Sequence, residues 1–394
     1  MSNTFEFVGK ISAMKETEKF KPIDRKTFDS KWQSLTVKFS CISDTNRIML
    51  TAQGGKWEDD KKNIVKTFSK TTTDKNGNVV KGTNIEIPWA KRFDQAEIDK
   101  VAGFKKFYVD TCDNRSLRYQ LREAVNNNNI TDELLEQIGV DSEEEAKAAL
   151  EKMENKYRVF LSEWDFCEYI IRILNSDRVK DKLFKFSGTY DIQHNASKGT
   201  FYRNYRVNRI TMVDDNTEFA TDMKLDVYFG NDAWDDSSYD ETGKIHVNGW
   251  TDYYDSTFKK KGFDELHLVI REDDEKKINL LKKRFSSDGS EINKIGVVVS
   301  VLDGAERAEL TVDMLSEDDR EEYEAGLTTW ADLRKKYGAT VMGDRVRELR
   351  FKKLDPENKL QDTAFTLDDM HAARADEVKE EDLPFDLFDD DEEI

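Results

Sequence analysis

The sequence predicts a mostly β protein of the α+β kind. Two small strand-built barrels would be joined by an acidic helical connector and followed by a disordered acidic tail. Three observations predict it. Period-two alternation fills the first hundred residues and returns after residue 180. Helical periodicity is confined to short, mostly acidic stretches. After Pro356 periodicity stops, and residues 376–394 hold eleven acids against one lysine.

The elements follow in order. "FEFVGKISAM" (5–14) reads as a first strand. In "WQSLTVKFSC", Leu35, Val37, Phe39 and Cys41 alternate with Ser34, Thr36, Lys38 and Ser40, one face in and one out. "RIMLTA" continues with Ile48, Leu50 and Ala52. Asn76-Gly77 is a type I′ hairpin signal. It lies in 61–81, a stretch with six lysines and one aspartate, so a projecting basic hairpin is expected. Asp94 and Glu97 form a capping-box pattern for a short helix that Gly103 stops, and Phe104–Asp110 resumes a strand. Three strands, a short helix and a strand is the order of the OB-fold, a small Greek-key barrel, assigned to residues 1–125.

Residues 131–157 read as two acidic helices capped by Thr131 and Asp141. With the helical or mixed piece "SEWDFCEYIIRIL" (162–174) they make up a connector, 126–175. "DKLFKFSGTYDI" (181–192) opens a second β block, where Phe184-x-Phe186-x-Gly188 echoes Phe5-x-Phe7-x-Gly9. "TFYRNYRVNRITMV" (200–213), "DMKLDVYF", "KIHVNGW" and "ELHLVI" supply strands, "DDEKKINLLKKRF" (273–285) a helix and "KIGVVVSV" a buried strand. Residues 316–337 are helical, with a capping box at Ser316 and Asp319 and a stop at Gly338. "DRVRELRFKKL" (344–354) is a last strand or a basic extension. The second OB-like domain, with a helical insertion, is therefore 176–354, and 355–394 is the tail.

The net charge of −19 hides strong polarisation. Residues 1–110 hold 21 Lys+Arg against 15 Asp+Glu, and 178–212 hold eight against two. Residues 213–258 hold two against twelve. The longest apolar run, near 295–302, is too short to span a bilayer, and "MSNTFEF" has no secretory pattern. The three cysteines, Cys41, Cys112 and Cys167, form no framework, and the four histidines have no zinc spacing. A soluble protein of a reducing compartment is expected, in the cytoplasm. No cofactor and no metal are expected.

GxSxG, HExxH, P-loop and dinucleotide fingerprints are all missing, so the chain is not expected to be an enzyme. Asp214-Asp215 and Asp235-Asp236 could hold Mg²⁺, but acidic loops between strands explain them better. The stronger pattern is basic residues interleaved with aromatics. Tyr202, Arg203, Tyr205, Arg206 and Arg209 fall within eight residues, and Trp32 shares a polar face with Lys38. Lys56-Trp57 and Trp89-x-Lys91-Arg92 repeat the combination, and Lys61, Lys62, Lys66 and Lys70 lie between them. Single-stranded nucleic acid needs both kinds, cations for phosphates and flat rings for unstacked bases. Against this, Trp57 and Trp89 could plug barrel ends.

Phe7-Val8-Gly9-Lys10-Ile11 resembles the first strand of bacterial-type single-stranded DNA-binding proteins. Asp382-Leu383-Pro384-Phe385 is similar to the acidic, proline-phenylalanine tip with which that family recruits replication and repair partners. The resemblance covers about a hundred N-terminal residues and the tail. The departures are nine residues after Phe385, and a chain much longer than the family's single OB-fold. An enlarged, phage-type relative is implied. It would bind single-stranded DNA with little sequence preference during replication or recombination and recruit partner proteins through Leu383, Pro384, Phe385, Leu387 and Phe388. The tail's charge would also compete for the DNA groove. Two other readings stay open: a β-rich virion or assembly protein with incidental basic patches, and, more weakly, a metal-dependent nucleic-acid enzyme.

Overall fold

The computed structural model describes residues 3–75, 77–195, 199–255, 259–287, 292–338 and 340–375. Alternating apolar residues dictate the first strands: β1 (Thr4–Ala13), β2 (Ile23–Thr27), β3 (Trp32–Ser43) and β4 (Asn46–Trp57). Leu35, Val37, Phe39 and Cys41 are fully buried, as their period-two spacing requires. β5 (Ile64–Phe68) pairs with β8 (Asn84–Pro88), and between them β6 (Thr72–Thr73) pairs with β7 (Val79–Val80). These ribbons form an arm off the main sheet, with Val79 and Val80 exposed at its far end. Of the Asn76-Gly77 turn, Asn76 lies outside the described residues, and Gly77 has a φ of 84° that suits glycine. The short helix α1 (Gln95–Lys100) follows; Asp94 precedes it but makes no side-chain cap bond, so the expected capping box does not form.

β9 (Phe107–Asp110) leads to α2 (Arg115–Asn126), a helix the sequence reading passed over, capped by Asn114. α3 (Asp132–Ile138) and α4 (Glu143–Glu154) are the two expected acidic helices. Thr131 caps the first; the second is capped by Ser142, whose hydroxyl accepts from the Glu145 N–H, and not by Asp141. β10 (Tyr157–Phe160) pairs with β9, and α5 (Glu163–Leu174) buries Phe166, Cys167, Ile170 and Ile173.

Next come β11 (Leu183–Asn195), β12 (Thr200–Met212) and β13 (Ala220–Phe229). After them run β14 (Trp234–Asp235), α6 (Tyr239–Thr242), β15 (Ile245–Asp255), β16 (Lys260–Ile270) and α7 (Glu275–Arg284). β17 (Asn293–Glu309) pairs with β18 (Thr340–Leu354), so the 344–354 stretch is a strand. Between those two, α8 (Glu317–Glu324) and α9 (Trp330–Tyr337) split the expected 316–337 helix.

Among the described residues, fifteen strands join in one large hydrogen-bonded sheet, not two separate barrels. Within it the pairings return on themselves twice. β1 pairs with β3, β3 with β4, β4 with β12 in parallel, β12 with β11, and β11 with β1. β13 pairs with β15, β15 with β16, β16 with β18 in parallel, β18 with β17, and β17 with β13. β1 also pairs with β13, and one continuous apolar core runs from Phe5 to Val301. The expected division at residue 176 falls between strands that pair with each other. β11 and β12 complete the first circuit, because their partners are β1 and β4.

The tail expectation is corrected in part. Asp355 donates its N–H to Gly296, β19 (Gln361–Asp362) pairs with β17, and α10 (Leu367–Ala375) seats Met370, 3% exposed, against Tyr228, Phe263 and Ile292. Residues 355–375 thus form a strap on the sheet. Leu383, Pro384, Phe385, Leu387 and Phe388 lie outside the described residues.

Candidate nucleic-acid interface

Strand parity places the first group. Trp32 and Trp57 are directly opposed on β3 and β4, with ring centroids 5.2 Å apart, edge to face. Lys38 lies on the same face of β3, where its ammonium sits 5.4 Å over the Phe20 ring. The Trp32 ring packs against Gly55, where a Cβ would come within 2.2 Å of it. Lys56 turns the other way, towards Asp60 at 3.4 Å and the Trp164 ring at 5.5 Å.

The arm brings the second group. Its own small core holds Val65, Ile87, Trp89, Ile98 and Val101. Trp89, 8% exposed, therefore belongs to this core, and it also lines the cleft beside the arm. Arg92 lies over it at 4.1 Å and binds Asp165 through two bonds, of 2.6 and 3.2 Å, so Arg92 too is structural. Lys61, Lys62, Lys66, Lys70 and Lys91 are exposed.

Along β12 only part of the expected cluster is available. Tyr205 packs against Phe5, Phe7 and Tyr190, and burial pushes its hydroxyl well above the ordinary range, so it belongs to the core. Arg203 is held by the buried Asp264 of β16 at 2.6 and 2.8 Å and ties the two circuits together. Tyr202, on the opposite parity, is 50% exposed. Arg209 is exposed and lies over the Tyr108 ring at 4.5 Å.

A cleft of about 440 Å³ opens between the arm and β12. Lys66 of β5, Lys105 and Lys106 of the turn before β9, and Arg206 and Asn208 of β12 line it, with Phe104, 59% exposed, at the edge. Gly55 lines the same cleft, so it runs up to the Trp32 ring. Burial pushes the Lys106 ammonium below its ordinary value; Asp99 opposes this and Lys70 adds to it. One acid sits among the cations. Glu163 Oε1 accepts from Arg206 Nη2 at 2.8 Å, and burial pushes the Glu163 carboxyl up against the pull of Arg206 and Lys105. The first turn of α5 reaches this point because Gly54 lets it settle on β4: a Cβ there would lie 2.4 Å from the Trp164 nitrogen.

Phe104, Lys105, Lys106 and Glu163 were missed by sequence reasoning. The run "GFKKFY" carried the signal, the same aromatic and basic mixture weighed elsewhere. A larger hollow of about 580 Å³ is lined by Asp60 and Glu86 as well as Lys61 and Arg92, a mixed set that favours no polyanion. The aspartate pairs read as possible metal ligands carry lysine partners: Lys182 reaches Asp215 at 3.1 Å and Lys282 reaches Asp236 at 2.7 Å. Among the described residues no three His, Cys, Asp or Glu gather as a metal site would need. Among them, too, no helix is long and apolar enough to cross a membrane.

No family model matches this chain. No curated protein matches it either. Among solved structures, the chain is similar to a deletion mutant of the single-stranded DNA binding protein from Thermus aquaticus. The identity is 8%, the TM-score 0.29, and the match covers 76% of this chain and 86% of that one. A likeness of that size carries no weight for the site, which rests on the side chains described above.

Proposed function

We propose that the chain binds single-stranded DNA without sequence preference, along the cleft between the arm and β12 and onward to Trp32 and Trp57. The supporting observation is the convergence of Lys66, Lys105, Lys106 and Arg206 from three separate segments on one cleft with Phe104 at its edge. Separate segments converge cations only against their mutual repulsion, and a phosphate backbone relieves that repulsion. The exposed ring supplies the sequence-tolerant part, because every base has a flat face.

In this reading each circuit of strands is an OB-like barrel. The domain division becomes 1–213 and 220–354, with α3 and α4 as an appendage of the first and residues 355–375 as a strap on the second. In an OB-fold the face of the second and third strands and its flanking loops bind oligonucleotides. β3 and β4 hold those places in the first circuit, and they carry Trp32, Trp57 and Lys38. The corresponding face of the second circuit is covered by α10, whose His371 lies 5.6 Å from the Trp250 ring. Binding is therefore assigned to the first circuit, in the host cytoplasm, with no chemistry of its own. The tail beyond residue 375 recruits replication or recombination proteins through Leu383, Phe385, Leu387 and Phe388.

Tryptophan fluorescence titrated with oligo-dT at low salt tests the reading. Stacking near Trp32 quenches emission in a saturable way. A flat signal, with no shift of labelled oligo-dT in a filter assay, would leave the assembly-protein reading in its place.

A further inference from the structure

We infer that Glu163 is a built-in competitor of phosphate: its carboxylate occupies the position on Arg206 that a DNA phosphate must take, so DNA binding displaces it. The inference rests on the cleft being the DNA site, and it names how that site is regulated.

The geometry carries it. Arg206 Nη2 donates to Glu163 Oε1 at 2.8 Å, and the pair lies within the lining of the cleft. Glu163 holds one of the N–H donors with which a guanidinium binds phosphate oxygens, and its charge would repel a phosphate arriving there, so the two ligands compete. Lys66 and Lys105 face the same space and carry no comparably close acid; Lys66 is 3.9 Å from Glu86. Of the cleft's cations, Arg206 alone is engaged by an acid that itself lines the cleft. Glu163 is also fixed in place. It opens α5, whose first turn rests on Gly54, so it cannot swing far away when a phosphate arrives.

A displaced Glu163 would be a half-buried carboxylate beside a phosphate. Uptake of a proton removes that repulsion. Burial already pushes its carboxyl above its ordinary value, against the pull of Arg206 and Lys105. The other groups facing it are Arg206 and the lysines Lys105, Lys106 and Lys66, with Lys56 of β4 beyond the neighbouring Trp164. Cys167 on its own helix is pushed up to about 12 and stays neutral. Lysine and arginine side chains ordinarily stay charged throughout about pH 5 to 8. The sign follows: DNA binding raises the Glu163 titration point further, the complex holds more protons than the free protein, and affinity rises as pH falls.

The test is oligo-dT affinity by fluorescence anisotropy between pH 5 and 8 at fixed salt, for the wild type and Glu163→Gln. The wild type should tighten towards low pH by up to about tenfold per unit over part of that range. Glu163→Gln keeps a hydrogen-bonding group for Arg206 but no charge. It should bind more tightly than wild type at pH 8 and lose the pH dependence at the acid end. Adding Arg206→Ala to Glu163→Gln should remove that gain. Calorimetry of the wild type in two buffers of different ionisation heat should show proton uptake on binding, and this readout needs no variant. If Glu163→Gln binds no more tightly than wild type and keeps its slope, or if calorimetry shows no proton uptake, Glu163 is a structural tie between α5 and β12 and the inference fails. If the wild type binds no oligo-dT at any pH, the cleft itself is misassigned.

Discussion

Replacing Lys66, Lys105 and Lys106 together by Ala tests the cleft most sharply. All three line it, and none is part of a buried ion pair. Each cation that neutralises a phosphate on a single strand contributes a slope of about −0.7 in log K against log salt. Loss of three should flatten the measured slope by about 2. Between 50 and 200 mM salt, a fourfold change, that is about 1.3 decades. The wild type's advantage over the triple variant should therefore shrink roughly 20-fold across that range. Labelled oligo-dT anisotropy at four salt concentrations reads the slope, and circular dichroism with thermal melting checks that the fold is intact. Because the other exposed lysines are common to both proteins, the difference in slope is insensitive to whether they also touch DNA. An unchanged slope in a normally folded variant would refute the assignment of the cleft, whatever the absolute affinity.

Opposite parity on β12 separates two neighbouring tyrosines. Tyr202→Ala should lower affinity for oligo-dT by roughly 1–3 kcal/mol at unchanged stability. Tyr205→Ala should instead cost about 3 kcal/mol of stability in urea unfolding, through loss of its packing on Phe5 and Phe7. Arg118→Ala should destabilise by about 3–5 kcal/mol, because Asp110 would be left buried without its two bonds, of 2.9 and 2.7 Å. A chain ended after Pro356 should melt earlier than the full chain, with about 2–4 kcal/mol lost as Phe365 and Met370 leave Tyr228 and Phe263.

What was legible in the sequence was local. The alternation of Leu35, Val37, Phe39 and Cys41 named a strand and its buried face. Thr131 and Ser316 named helix starts, since a cap bonds to an N–H three residues on. What was illegible was long-range. Nothing near residue 183 says that β11 will pair with β1, so a strand of the second block joins a partner about 180 residues earlier without any local signal. The arginines show the same limit. Arg203 is bonded to Asp264 and Arg92 to Asp165, acids 61 and 73 residues away, and a count of nearby charges cannot see such partners. Trp89 and Tyr205 were ambiguous because a large ring suits a core and a base equally well, and only the packing decides. Glu163 was overlooked because an acid in a basic groove runs against the pattern being sought.

The acidic total is compatible with a polyanion ligand because charge acts locally. At physiological salt exposed charges are screened beyond about 8 Å, so a polyanion approaching the cleft would meet the cleft's charges and not the net −19 of the chain. Four acids of the most acidic body segment, 213–258, are also engaged. Asp222 is held by Lys352 at 2.7 Å, Asp226 by Lys294 at 2.6 Å, Asp236 by Lys282 at 2.7 Å and Asp252 by Lys261 at 2.8 Å. Asp222, Asp226 and Asp252 hold β13 and β15 to other strands of the sheet, and Asp236 ties its loop to α7. Lys66, Lys105 and Lys106, by contrast, meet no acid as closely as these pairs do, and Lys106 is already short of water. Cations so placed gain more from a phosphate than cations that already have a partner. The segregation of sign along the chain therefore has two effects: it ties strands of the second circuit to their neighbours with internal pairs, and it leaves Lys66, Lys105 and Lys106 without so close an acid.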